Sequence, residues 1–214
     1  MALPIIVLGS GGHAKVVLDV LRLLEKNVIG LTTQDQNMFD RTLLGYRVLG
    51  DDTALARYAP SAVRLVNAVG SVQSMDERKI LFEKFKALGY GFEQVIHPMA
   101  VVARDAVLDE GVHAMAGVVI QPGSHIGDNT IINTRASVDH DCEIGRHVHI
   151  APGCTLSANV TVGDETHVGT GATIIQGLRI GRRCLVAAGA VVCRDVDDLG
   201  WVAGVPARRM RGDA

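Results

Sequence analysis

Residues 120–150 read IQPGSHIGDNTIINTRASVDHDCEIGRHVHI, in which Ile120, Ile126, Ile132, Val138, Ile144 and Ile150 recur at every sixth place. The stride runs back through Ala114, Leu108 and Val102 to Ile96, and forward through Leu156, Val162, Val168, Ile174, Ile180 and Val186 to Val192. A second register lies four places after each of these, at Val112, Val118, Ser124, Thr130, Ala136, Cys142, Val148, Cys154 and onward, always small or branched. Two registers kept this strictly mark one supersecondary unit stacked many times. In a strand, alternate residues face the same way, so the register residue and the one two places before it point inward while the residue between them points out. The rest must turn a corner, and Pro122-Gly123, Gly127-Asp128-Asn129, Pro152-Gly153 and Gly163-Asp164 have turn chemistry. Each six-residue unit is one side and one corner, and a closed coil needs at least three sides. The pattern predicts a triangular β-solenoid with eighteen residues per coil and five to six coils.

The chain before the solenoid has a different rhythm. Pro4 to Leu8 reads as a short buried strand, Gly9-Ser10-Gly11-Gly12 follows, and Ala14 to Lys26 carries Val16, Val17, Val20, Leu21 and Leu24 at helical spacing. Strand, glycine turn and helix open a nucleotide-binding βαβ unit, in which N–H groups at a helix start hold phosphate. Asn27 to Leu31, Gly45 to Leu49 and Arg64 to Val69 read as further strands. Ser74 with Glu77 forms a capping box for a helix running through Leu88. Residues 1–95 are therefore expected to form a small Rossmann-like parallel α/β domain, and residues 96–214 the solenoid with a C-terminal tail. Its ligand edge should lie where strand C-termini meet Ser10, Gly11, Gly12 and His13 on one side and Gly70 and Ser71 on the other. A dehydrogenase is disfavoured, because Thr32 and Thr33 stand where a dinucleotide site wants an acid after the second strand.

Composition narrows the classes. A net charge of -2 argues against a nucleic-acid or membrane-surface binder, and the uncharged MALPIIVLGSGG start fits neither a signal peptide nor a membrane span. A cytoplasmic protein is expected. Of Cys142, Cys154, Cys184 and Cys193, three fall in the small inward register, so burial accounts for them, and no CxxC pair exists.

Residues 96–207 resemble the hexapeptide-repeat left-handed β-helix acyltransferases, and Gly204-Val205-Pro206-Ala207-Arg208 resembles the segment with which those enzymes leave the helix. More narrowly, GSGGHAK at Gly9–Lys15, Ile96-His97-Pro98 and NTRASVDHDCE at Asn133–Glu143 are similar to the bacterial nucleotide-amino-sugar N-acetyltransferases, the group with the bacillosamine and perosamine enzymes. The resemblance implies a homotrimer that moves an acetyl group from acetyl-CoA to the 4-amino group of a nucleotide-linked amino-deoxy sugar, with His140 as base. It also implies that His149 meets the thioester region. Thr33 departs from the pattern, since relatives often carry Asp there.

The residues themselves suit that chemistry. His140 sits on a corner pointing out, flanked by Asp139 and Asp141, either of which can fix its tautomer and stabilise the imidazolium. Asp141 is the carboxylate grouped with it as catalytic. His113, His149 and His167 occupy the outward mid-strand place at multiples of eighteen, so they stack on one face, with adjacent coils about 4.8 Å apart. Solvated or interface histidine is the simple reading for His113 and His167, and no metal is assigned to the column. For acetyl-CoA, His149 and His167 are candidates with Gly171 and Gly189, which leave room for a pantetheine arm, and Arg183 and Arg208, which suit phosphates. His140 and His149 lie half a coil apart, on the order of 15 Å, so one substrate meets both only across a subunit interface. Two rivals remain: a sugar O-acetyltransferase of the sialic-acid type, and a non-catalytic trimeric scaffold that binds a nucleotide.

Overall fold

The computed structural model describes residues 2–71 and 75–210. The first strand, β1 (Ile5–Leu8), is buried along its whole length and lies between β2 (Val28–Thr32) and β5 (Arg64–Asn67), both parallel to it. A central parallel strand is covered on both faces, which is why it reads as an unbroken apolar run. Its alternate residues serve two cores. Ile5 and Val7 pack with α1 (Gly12–Leu23), and that core is continuous with the solenoid interior. Ile6 and Leu8 pack with Phe82 and Phe85 of α2 (Asp76–Ala87). The capping Ser74 lies outside the described residues.

One expected strand is displaced. The segment at Gly45 to Leu49 does not join the parallel sheet as a full strand; it supplies β4 (Tyr46–Arg47), paired antiparallel with β3 (Thr42–Leu43), and touches β2 by a single bridge from Val48 to Leu31. Leu44 and Gly45 both have positive φ, 51° and 87°, so the chain folds straight back as a tight hairpin. The fourth parallel strand is instead β6 (Gly91–Phe92), beside β5.

From Val95 onward the expected solenoid is present. Two-residue rungs stack in parallel on three faces, each partner eighteen places on: His113 with Ile131 and then His149 on the first face, Val119 with Ser137 on the second, His125 with Glu143 on the third. The inward registers form its core, and from Val112 to Val168 every residue of both is buried. Truncating one of them, such as Ile150, to alanine would cost about 2–5 kcal/mol. Cys142, Cys154 and Cys184 are buried in the small register and Cys193 is exposed, all as free thiols. Burial pushes the Cys154 thiol up to about 11.

The corners show a second regularity that apolar patterning does not reveal. Residues 111, 117, 123 and so on to 189 are all left-handed, with Gly, Asn, Asp, Arg, His and Glu sharing the task. Where Asn or Asp stands there, a short polar side chain tolerates the conformation. The described residues close with an antiparallel pair, Trp201–Ala203 with Arg208–Arg209. Among the described residues no helix is long and apolar enough to cross a membrane.

Candidate active site

The glycine turn after β1 is built by close approach. Gly9 has φ +105°, and a Cβ there would lie 3.2 Å from Val69 Cγ2 and 3.3 Å from the Ala68 carbonyl carbon. Gly70 is constrained in the same way, since its Cβ would meet that of His13 at 3.2 Å. Gly11 and Gly12 face open space. They begin α1, which has neither a side-chain cap nor an acid in its first turn, so its leading N–H groups remain available to an anion. Ser10 Oγ and Thr33 Oγ1 are 2.6 Å apart, and Thr33 also accepts the Asp35 N–H at 3.2 Å, which ties the turn to the end of β2.

These loops form one side of a cleft of about 1080 Å³, and the solenoid supplies the other side with Asn133, Thr134, His149 and Pro152. The expected residues Ser10, Gly11, Gly12, His13, Gly70 and Ser71 all line it. The N-terminal unit sits on the first face of the solenoid and covers His113 and His149. His113 is thus not solvated and needs no second subunit to bury it: it is fully buried, its ring stacked on His13 with Nδ1 3.1 Å from His13 Nε2. Its own Nε2 is buried without a partner. A bare acceptor there costs less than an orphaned N–H, so His113 Nδ1–H donates to His13 and leaves His13 Nδ1–H to face the cleft.

His149 is fixed just as closely. Asn133 Oδ1 accepts the Thr134 N–H at 2.8 Å, so Asn133 Nδ2 donates to His149 Nε2 at 3.0 Å. His149 Nδ1–H then donates to Ser71 Oγ at 2.7 Å, and the serine hydroxyl is left to donate into the cleft. His167 stacks edge-on above it, with ring centroids 4.9 Å apart, as the eighteen-residue spacing predicts. Burial, aided by neighbouring charge, pushes His13 and His149 down to about 3 and His113 well below its usual value. The cleft histidines are neutral donors and acceptors.

His140 belongs to another environment. It projects from the corner between the second and third faces, about half exposed, and does not line the cleft. Asp141 takes the left-handed corner conformation, φ 59°, which turns its carboxylate back so that Oδ2 accepts from His140 Nδ1 at 2.7 Å. Asp139 instead accepts the His140 backbone N–H at 2.8 Å. The bond to Asp141, with the charge of Asp139 and Asp141 behind it, holds the imidazole above its usual pKa.

The residues expected to meet acetyl-CoA are distributed over the solenoid. Gly171 and Gly189 are stacked corners beside the cleft, on the edge between the first and second faces, each with open space where a Cβ would stand. Arg183 is on the other edge of the first face, 3.8 Å from Glu165, and Arg208 lies in the C-terminal pair beside a small cavity. The apolar register does not single out Asn133 or Arg78. The signal for Asn133 was its corner place next to the outward histidine column; Arg78 had none, because the sequence does not reveal what α2 packs against. Among the described residues no group of three or more His, Cys, Asp or Glu is arranged to hold a metal.

Residues 4–85 match the PglD N-terminal domain, and residues 123–158 match the bacterial transferase hexapeptide (six repeats). Among curated proteins none matches the chain. Among solved structures, perosamine N-acetyltransferase from Caulobacter crescentus, a histidine-to-asparagine mutant in complex with CoA and GDP-perosamine, is 39% identical with a TM-score of 0.91, covering 100% of this chain and 99% of its own. The acetyltransferase domain of PglB from Neisseria gonorrhoeae, in complex with acetyl coenzyme A, is 34% identical with a TM-score of 0.90, covering 98% of this chain and 100% of its own. WeeI from Acinetobacter baumannii is 26% identical with a TM-score of 0.87, covering 98% and 100%. With relatives this similar from end to end, the chain belongs to the PglD-like sugar N-acetyltransferases of the hexapeptide-repeat β-helix family.

Proposed function

We propose that this protein transfers the acetyl group of acetyl-CoA to the 4-amino group of a nucleotide-linked amino-deoxy sugar, with residues 1–95 holding the nucleotide and residues 96–214 performing the transfer in the cytoplasm. The observation that carries this reading is the cleft itself: free helix N–H groups and a glycine turn on one wall, fixed hydrogen-bonding side chains of the solenoid on the other. A diphosphate suits the first wall and a sugar the second. The N-acetyl alternative is favoured over O-acetyl transfer because the Caulobacter relative, 39% identical, is a perosamine N-acetyltransferase.

Acetyl-CoA supplies the acetyl group as a thioester. His140 provides the proton acceptor: with Nδ1–H committed to Asp141, its Nε2 lone pair is free to take the proton that the amine sheds as its nitrogen bonds to the thioester carbon. The same Nε2 can return that proton to the departing thiolate of CoA. The glycine corners Gly171 and Gly189 offer a smooth edge for the pantetheine arm, and Arg183 and Arg208 are cations suited to the phosphates of CoA. His149 lines the cleft beside that edge, with His167 stacked on it.

Because the cleft opens at one edge of the second face and His140 stands at the other, a homotrimer with sites between subunits joins them best. The outward row of that face, Val101, Val119, Ser137, Thr155, Thr173 and Val191, carries no charge and suits a second copy. The decisive experiment measures CoA release from acetyl-CoA against a panel of UDP-, dTDP- and GDP-linked 4-amino sugars. Turnover with one member is expected; no acceptor-dependent release with any of them sinks the reading, and hydroxyl-only acceptors working instead would favour the O-acetyl alternative.

A further inference from the structure

A cleft that takes a diphosphate needs positive charge, yet among the described residues none that lines this one is Lys or Arg. Asp35, Asp76 and Glu77 lie on its rim, and its two histidines are neutral. Directly behind the wall is Arg78, fully buried on α2. Its Nη1 donates to the carbonyls of Asn67 and of Val69, the latter at 2.9 Å, and its Nε donates to the Asn129 carbonyl on a solenoid corner at 3.1 Å. Its Nη2 is buried and unpartnered, and among the described residues no carboxylate forms an ion pair with it. A buried guanidinium with carbonyl partners and no counter-ion is expensive to keep. Burial is the main reason His13 and His149 stay neutral, and the charge of Arg78 adds to it, so its field reaches the cleft. The trans peptide adds a geometric consequence: with the Val69 carbonyl turned to Arg78, the Gly70 N–H points the opposite way, to the cleft side.

We propose that Arg78 is a positioning residue and the counter-charge for the substrate's diphosphate, acting from behind the Val69–Ser71 wall and aiming that wall's N–H groups at the ligand. The inference rests on reading the cleft as the nucleotide-sugar site. It is tested by calorimetric titration of the full-length protein, wild type, Arg78→Met and Arg78→Lys, with UDP, dTDP and GDP and with the matching nucleosides. Arg78→Met should weaken diphosphate binding about tenfold or more while nucleoside binding stays within about twofold, and Arg78→Lys should fall between. In turnover the KM for the sugar nucleotide should rise with the acetyl-CoA KM and kcat unchanged.

Equal diphosphate affinity in wild type and Arg78→Met overturns the inference and leaves the cleft reading standing. A parallel loss for nucleoside and diphosphate also overturns it, because a merely structural arginine predicts that pattern. A wild type that binds no diphosphate of the panel overturns the cleft reading, and the inference with it. Should Arg78→Met fail to fold, the wild type is decisive: preference for diphosphate over nucleoside should persist from about 0.05 to 0.5 M salt, since buried charge is poorly screened, and a collapse of that preference would assign the charge to exposed lysines.

Discussion

His140 and His149 stand nine residues apart, half a coil of the same solenoid, and their environments are opposites. His149 is roofed by the N-terminal unit, bonded to Ser71 and Asn133, and pushed down to about 3; His140 is open to solvent, bonded to Asp141, and held above its usual pKa. The solenoid sets where each ring points, but what lies over the face decides its chemistry. A covered histidine is a fixed hydrogen-bonding group, whereas an uncovered one beside a carboxylate has the means to take up a proton. The hardest blow to this contrast is His140→Ala, expected to lower kcat about 100-fold or more. The melting temperature should barely change, because the side chain is about half exposed on a corner. Near-normal turnover by the folded variant would end its assignment as base.

The separation of the two rings has a consequence for assembly. If the cleft of one protomer is completed by the His140 of another, Val119→Arg on the uncharged second face should convert the trimer to monomer and cost at least about tenfold in activity with both histidines intact. Light scattering coupled to size exclusion, run beside the assay, checks it. An active monomer would mean that one chain closes its own site.

Part of this contrast was legible beforehand, and the division is physical. The stride of six is written in buried branched residues, so the solenoid, the stacking of His149 on His167 and the outward aim of His140 could all be read from spacing. The glycine turn and the loop at Gly70 could be placed at one sheet edge because parallel strands put their C-terminal ends together. What covers a face is a tertiary fact with no periodic signature. His113 therefore read as solvated or intersubunit although His13 buries it, and Arg78 stayed invisible. The choice between Asp139 and Asp141 depended on the left-handed backbone at residue 141, which a polar triplet does not announce. The swap of Gly45–Leu49 for Gly91–Phe92 as the fourth strand turned on a two-residue hairpin turn at Leu44-Gly45.

The covered histidines should also leave a trace in stability. His13 and His149 have folded pKa values of about 3, and His147, buried beside Asn129, one of about 4, against an ordinary 6.5. Below pH 6.5 the unfolded chain binds protons that the folded chain refuses, so the stabilisation is complete above that pH and is lost as pH falls toward 3 to 4. The melting temperature should drop by several degrees between pH 7 and pH 5, and His149→Gln should flatten that slope. A slope unchanged in the variant would show that His149 titrates normally in the folded protein.

The smallest expected effect separates the two carboxylates at the uncovered corner. Because Asp141 holds Nδ1 and is the first cause of the raised His140 pKa, Asp141→Asn should move the acid limb of kcat/KM to lower pH. The sign follows from the base being active only when neutral: a weaker hold on the proton frees Nε2 in more acidic solution. Plateau kcat should fall by no more than about tenfold, since an amide oxygen can still accept from Nδ1. Asp139→Asn removes charge but leaves that bond, so its limb should move less. If Asp139→Asn shifts the limb further than Asp141→Asn, the ring turns to Asp139 in the working enzyme, and the left-handed corner at Asp141 serves the backbone alone.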